Sequence, residues 1–450
     1  MELIEAVKFA VEKALKLGAD QADAYASKTY ENSIQATNDK IGGIRDRRAT
    51  SEKIEGLGVR VAVGKSVAYA YTTILEEDSI IEAIKTAIKL AKVKEPDPDF
   101  KSLPSVKPPA KVEGIFDESI ITPPVDEAFE QVRQVLSQAM EANPNFNTVI
   151  SGYSFAWAER AIANSLGVEV SFKESMTSTG VYIIGEKEGL RSLGGKSEES
   201  RALKEVDIEK CAEEAIKYAK IGLNKAKIEA GEKTIIFQPE ALVGLINYAF
   251  IKAVNAYNVQ EGKSYLTGKL GSQVASEKLT IIDDGTLTKG LMTTPVDGEG
   301  VPSQRNIIIE KGVLKSYLYD SYTAFKDNRE STGNASRQFR SAVTVAPRNH
   351  IISGEVVKKD ELIGDVKEGL LVRGVMGAHS TNIATGAFSV LANPAYVIQN
   401  GEIIGQIKGC MIAGTFQELL MKYAAQGDDV VQKGFLVAPS IKFEGVRIAL

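Results

Sequence analysis

Histidine is scarce in this sequence: only His350 and His379 occur, and they share no HExxH helix. A zinc hydrolase spends two or three imidazoles or a thiolate on its metal and keeps a carboxylate nearby to move protons. The inventory for such a centre is nearly absent. His350 follows Arg348-Asn349 and opens a strand pattern, so it reads as a surface or strand-end histidine. His379 lies in the polar, glycine-flanked loop Gly377-Ala378-His379-Ser380-Thr381-Asn382, which makes His379 and Asn382 candidates for hydrogen bonding to a ligand. Cys211 falls on the apolar stripe Ile208, Ala212, Ala215, Ile216 and Ala219, and Cys410 in the strand-like run Gly409-Cys410-Met411-Ile412. Both read as buried, inert thiols.

Carboxylates cluster beside glycine at Asp283-Asp284-Gly285, Asp297-Gly298-Glu299-Gly300 and Gly427-Asp428-Asp429. Aspartate in such places commonly shapes a turn by accepting backbone hydrogen bonds. Asp297 and Glu299 remain the candidates for polar work in a cleft, because loops carry function more often than the scaffold does. Two segments imitate a phosphate loop, Gly58 to Gly64-Lys65-Ser66 and Gly189 to Gly195-Lys196-Ser197. Each has one residue too many between its glycines, and the first runs into the strand pattern Val67-Ala68-Tyr69-Ala70-Tyr71 where a phosphate site needs a helix. Neither GxSxG nor GxGxxG occurs, which removes the usual hydrolase and dinucleotide fingerprints.

The elements that must position these residues follow from periodicity. Ile4, Val7, Ala10, Val11, Ala14 and Leu17 recur at helical spacing and stop at Gly18. Strand patterns over 23–28, 33–37, 57–63 and 67–73 come next, then a helix over 78–92. Seven of the fourteen prolines fall between Pro96 and Pro124, so 95–124 is an irregular crossover. Beyond it come a helix over 126–142, strands over 149–157, 168–173 and 179–184, and a helix over 206–223. That order suggests a duplication, although any α+β chain can alternate in this way.

From about Ile228 the chain is richer in strands and hairpins. Glu310-Lys311-Gly312 and Asn400-Gly401 sit at hairpin turns, the latter a strong type I′ signal. One long helix stands apart, Pro239 to Asn258, with proline where a first helical turn accepts it. Its stretch from Ala241 to Ile251 is apolar except for Asn247, so most of its circumference should be buried. The expected fold is therefore α+β in two domains. An N-terminal helix/strand domain spans 1–227 with an internal duplication suggested, and a strand-rich C-terminal domain spans 228–450 with one long buried helix.

At roughly 150 residues per domain, 450 residues also allow two or three domains. Apolar residues at 44% and charged residues at 25% are ordinary globular values. With 54 basic against 59 acidic residues and no extended basic block, direct nucleic-acid binding is disfavoured. The cysteines form no CxxC, the first residues are acidic where a signal peptide is basic, and no apolar run approaches the roughly 20 residues of a membrane span. The expectation is a cytoplasmic protein without membrane contact.

The C-terminal half resembles the TldD/PmbA family in the order and spacing of Gly262-Lys263-Ser264, Gln273-Val274-Ala275-Ser276, Ile282-Asp283-Asp284-Gly285-Thr286-Leu287, Asp297-Gly298-Glu299-Gly300-Val301-Pro302, Ser331-Thr332-Gly333-Asn334-Ala335, Asn400-Gly401-Glu402-Ile403 and Ile412-Ala413-Gly414. The resemblance runs from about Pro239 to Asp429. It implies a protein from a peptidase family, also described as modulators of DNA gyrase, that degrades short or unfolded peptides. Catalytic, TldD-like members carry HExxxH on the long helix, with a late cysteine completing the zinc site. Here the corresponding positions hold Asn247, Tyr248 and Lys252, and no cysteine follows Gly427-Asp428-Asp429.

The resemblance therefore places the chain in the TldE branch, also called PmbA. It implies a non-catalytic subunit with no cofactor of its own, zinc on a TldD-like partner, and extended peptides held by strand addition. Asp297, Glu299, His379 and Asn382 are then the candidate residues of a peptide cleft. Ala387 stands where related sequences often have an aspartate. Two rival readings are a peptidase with an unorthodox site around His379, Asp297 and Glu299, and a regulatory binding protein.

Overall fold

In the computed structural model, which describes residues 1–450, small apolar side chains at helical spacing form α1 (Leu3–Lys16). Ala6, Val7, Ala10, Val11 and Ala14 are its buried face, and Gly18, at φ +102°, ends the turn. Three strands follow, β1 (Gln21–Asp39), β2 (Gly43–Val63) and β3 (Ser66–Thr72), and then α2 (Glu77–Val93). The same order recurs after the crossover, as α3 (Val125–Glu141), β4 (Phe146–Asn164), β5 (Glu169–Lys187), β6 (Leu190–Ser200) and α4 (Ile208–Gly222).

All six strands lie in one antiparallel sheet ordered β3-β2-β1-β4-β5-β6, so the two helix–three-strand–helix units meet where β1 pairs with β4. One apolar cluster packs α1 and α2 on Leu57, Val59 and Val61, and another packs α3 and α4 on Phe146, Val149 and Val181. Each fully buried Leu or Val contributes roughly 1.5–3 kcal/mol of transfer free energy. β1, β4 and β5 run nineteen residues each and β2 twenty-one, where alternation predicts several shorter strands.

The crossover forms no strand or α-helix and only one 3₁₀ turn, Glu118–Ile121. It is nevertheless strapped down: Ala110 N donates to Pro295 O, Ser175 N to Ile115 O, and Lys289 N to Glu113 O. It thus ties the first sheet to loops of the second half.

That second half centres on a core of 50 buried residues. β7 (Gly231–Phe237) lies in a nine-stranded sheet, parallel to Glu368–Val372 and antiparallel to Ile441–Ala449. A six-stranded sheet, including Thr280–Asp284 and Asn349–Ser353, stands beside it. The turn residues Lys311-Gly312 and Asn400-Gly401 all take positive φ, as a type I′ hairpin requires.

The helix expected over Pro239 to Asn258 is not continuous. It divides into α5 (Pro239–Leu245), one π-turn over Ile246–Ile251, α6 (Lys252–Val254) and, after a break, α7 (Ala256–Gln260). The break falls at Asn255, which is extended at φ −68°, ψ 117° and whose side chain accepts from Tyr257 N. Leu318 N donates to Val254 O and Ala256 N to Leu318 O, a strand-like bridge that draws the chain out of the helix. Asparagine's own hydrogen bonding to the backbone favours this exit.

His350 also departs from expectation. Its strand is interior, so it is fully buried, with Phe250 and Phe435 rings against it and Asp283 Oδ1 at 3.6 Å from Nδ1. No helix is long and apolar enough to cross a membrane.

Candidate functional site

The π-turn is the first place to look, because such turns are rare and recur at functional sites. By widening the helix it brings Asn247 and Lys252, five residues apart, onto neighbouring positions of one face. Lys252 Nζ lies 4.8 Å from the centroid of the Tyr248 ring. His379 approaches the same ring edge-on at 6.4 Å, carried by a short turn over Ala378–Ser380 that follows Gly377 at φ +91°. The structure thus gathers Tyr248, Lys252 and His379, with Asn247 on the same turn.

These donors do not suit zinc. Lysine brings a cation where a metal would sit, one imidazole is too few, and no three His, Cys, Asp or Glu side chains anywhere in the chain are grouped to hold a metal. The two thiols are core residues, pushed up by burial to about 12 at Cys211 and about 11 at Cys410.

The other expected site residues lie apart from this group, and the expected single cleft of Asp297, Glu299, His379 and Asn382 does not form. Asn382 is exposed and shapes its own loop, accepting from Ala384 N and Thr385 N. Asp297 and Glu299 are 1% and 2% exposed, at the boundary between the first sheet and the second half. Asp297 Oδ1 accepts from Glu299 N and Val301 N, and Oδ2 from Ala335 N. Burial, with the charge of Glu299 second, pushes the Asp297 carboxyl up to about 7. Glu299 accepts from Ser321 N and from Arg60 Nη1, the latter at 2.7 Å.

Arg60 leads to residues that sequence reasoning missed. It forks onto Asp23 Oδ2 while Arg337 Nη1 donates to Asp23 Oδ1 at 2.8 Å, so two guanidiniums and two carboxylates form one buried chain across the boundary. Burial would raise the Asp23 carboxyl, but Arg337 and Arg60 hold it below the usual carboxylate range. A second clamp is Arg201, which donates to the carbonyls of Gly290, Leu291 and Thr293 and shares Glu174 with Arg160. The available signal was a charge inside an apolar strand: Asp23 among alanines, and Arg60 in Val59-Arg60-Val61.

Two cavities flank the chain of charges. One, of about 410 Å³, is lined by Glu299, Asp320, Tyr69 and Tyr257. The other is a groove of about 470 Å³ between the first sheet and the loops carrying Asp297 and Arg337.

Comparisons with known proteins agree along the whole chain. Family models match in sequence: PmbA/TldA metallopeptidase domain 1 over residues 22–91, its central domain over 118–223, and its C-terminal domain over 230–450. An uncharacterized protein of Methanocaldococcus jannaschii is 32% identical over 97% of this chain and 99% of its own length. The metalloprotease PmbA homolog of Haemophilus influenzae is 28% identical, over 100% of this chain and 96% of its own. The crystal structure of TldE from Thermococcus kodakarensis superposes with a TM-score of 0.89 at 28% identity, covering 99% of this chain and all of the other.

Proposed function

Because the chain belongs to the PmbA/TldD family of metallopeptidases, we propose that it is a non-catalytic, TldE-like subunit that works with a TldD-like zinc subunit to degrade short or unfolded peptides. One observation carries the reading. The π-turn widens the helix at the positions where the resemblance puts HExxxH in catalytic members, and there it presents Asn247, Tyr248 and Lys252, with Lys252 Nζ against the Tyr248 ring. A helix of this shape without metal-binding side chains supports a structural role beside a zinc-bearing subunit. The likeness to TldE over nearly the full length of both chains supports the same reading.

On this reading zinc belongs to the partner, and the present chain helps enclose the peptide. The work is cytoplasmic, involves no direct contact with nucleic acid or membrane, and uses no cofactor on this chain. The test is to purify the chain alone and after co-expression with a TldD-like protein bearing HExxxH and a late cysteine. Alone, it should hold no stoichiometric zinc by elemental analysis and cleave no unfolded peptide. Together the two should co-purify, burying more than about 2,000 Å² if the association is obligate, and their peptidase activity should be lost to a chelator. One equivalent of tightly held zinc on this chain, or a partner whose activity and elution ignore it, overturns the proposal.

A further inference from the structure

The groove between the first sheet and the second half has walls of two kinds. Its sheet wall, from β1, β4 and β5, presents Ala156, Phe172 and Met176, and Met292 faces it from the opposite loop. Met176 and Met292 are large apolar side chains left exposed, at 42% and 37%. The charged part of the lining sets Arg160, Arg201, Arg337 and Arg348 against Glu31, Glu174 and Asp297.

These charges do not cancel evenly. Glu174 is shared by Arg160 and Arg201, leaving one guanidinium in excess. Glu31 is exposed at the rim, and Asp297 is already engaged by three backbone N–H groups. The Arg348 guanidinium donates only to the carbonyls of Gly333 and Ala335 and forms no ion pair, while the Arg348 backbone N–H donates to Asp283 Oδ1. Arg337 is the decisive residue. Its side chain is 1% exposed, its one hydrogen bond runs from Nη1 to Asp23, and its Nε has no partner. An unsatisfied donor on a buried charged group is costly, and here it belongs to a residue lining a groove with apolar walls. Guanidinium groups match carboxylates in geometry as well as charge.

We propose that this groove binds a carboxylate carried on an apolar chain, namely the C-terminal carboxylate of a peptide with a bulky terminal residue. Arg337 and Arg348 take the carboxylate, and Phe172, Met176 and Met292 take the side chain. The choice of a peptide rests on the function proposed above; the carboxylate chemistry does not.

The full chain, without any partner or metal, is titrated by calorimetry with N-acetyl-Ala-Ala-Phe as the free acid and as the C-terminal amide. An amide peptide ending in glutamate separates a side-chain carboxylate from a terminal one, and inorganic phosphate is a further arm. Saturable binding of the free acid is expected, weakened about tenfold or more in the amide, as loss of a charge-assisted contact implies. Binding of the glutamate amide in place of the free acid would move the source of the carboxylate to a side chain and overturn the terminal assignment.

Met176→Glu, which adds a like charge at the exposed rim, should weaken the free acid to a similar degree while keeping the wild-type melting temperature, and Arg348→Gln, which also gives up its bonds to the carbonyls of Gly333 and Ala335, should weaken the acid but not the amide. Equal binding of acid and amide, binding of phosphate alone, or no response to the acid through the millimolar range overturns the proposal. Because no cleavage is read, failure of the heteromer leaves this result standing, and the reverse also holds.

Discussion

Arg60 Nη1 donates to Glu299 Oε1 at 2.7 Å across the boundary between the six-stranded sheet and the second half of the chain, with both side chains buried. Glu299 is one of two carboxylates in the buried chain of charges, and Arg60 also holds the other, Asp23. Replacing Glu299 by alanine leaves Arg60 facing Glu299's vacated space with half of its compensation gone. The expected cost is about 3–5 kcal/mol, the usual penalty for stripping one partner from a buried pair. Urea unfolding monitored by circular dichroism measures it, and a loss below about 1 kcal/mol would show the pair to be incidental.

Asp297 should titrate in the opposite sense to a salt-bridged carboxylate. Its carboxyl is pushed up to about 7 by burial and by Glu299, so the folded protein binds this proton more readily than the unfolded chain. The stability it lends is complete below the ordinary carboxylate range near pH 3.9 and is lost as pH rises towards 7. Wild type should therefore be more stable relative to Asp297→Asn at pH 5 than at pH 8. A difference that stays constant across that range sinks the assignment.

The parts of the fold legible in sequence are those fixed by local pattern. The helix faces around Ala10 and Ile84, the turns at Lys311-Gly312 and Asn400-Gly401, and the irregular crossover all follow from periodicity or from glycine and proline. The long strands were not legible, because residues such as Arg47, Arg48 and Thr50 on β2 are solvated and carry no alternation. The break at Asn255 depends on Leu318, distant in sequence. The same reason hides the site: Asp23, Arg60, Glu299 and Arg337 are far apart in sequence and only the packing of the halves brings them together. Glu299 was singled out as a loop residue, but its buried partners could not be.

Close packing at that boundary makes a glycine indispensable. A Cβ on Gly58 would stand 2.2 Å from the Phe339 carbonyl oxygen, a backbone atom that cannot rotate away. Gly58→Ala should cost about 1–3 kcal/mol by overpacking. Gly364→Ala, whose Cβ meets nothing within 4 Å, should change stability by less than about 1 kcal/mol. Paired thermal melts test the contrast, and equal shifts in the two variants would refute it.

The thiols offer a further check on the packing. Cys211 and Cys410 are buried and free, and burial disfavours their thiolates. Since the thiolate is the reactive form, a disulfide reagent such as Ellman's should label neither in native protein at pH 8 and both in denaturant. Rapid labelling of one thiol under native conditions would place it outside the core assigned to it.

The π-turn allows the strongest test of why the chain should be inactive alone. Asn247→His, Tyr248→Glu and Lys252→His together would recreate the family's HExxxH on a helix that already has the widened geometry over Ile246–Ile251. The turn would then supply two imidazoles and a carboxylate. Zinc sites of this kind need a third protein ligand, and the thiolate of catalytic members has no counterpart, since Cys410 is fully buried in the core and no cysteine follows it. His379 packs edge-on against the Tyr248 ring in the native chain, a contact that Tyr248→Glu removes. The triple variant is expected to bind zinc weakly, if at all, by elemental analysis after dialysis, and to show no metal-dependent peptidase activity alone. Adding a cysteine after Asp429 should raise zinc retention. Substantial chelator-sensitive proteolysis by the triple variant itself would mean that His379 or another group can complete the site, and would count against the non-catalytic reading.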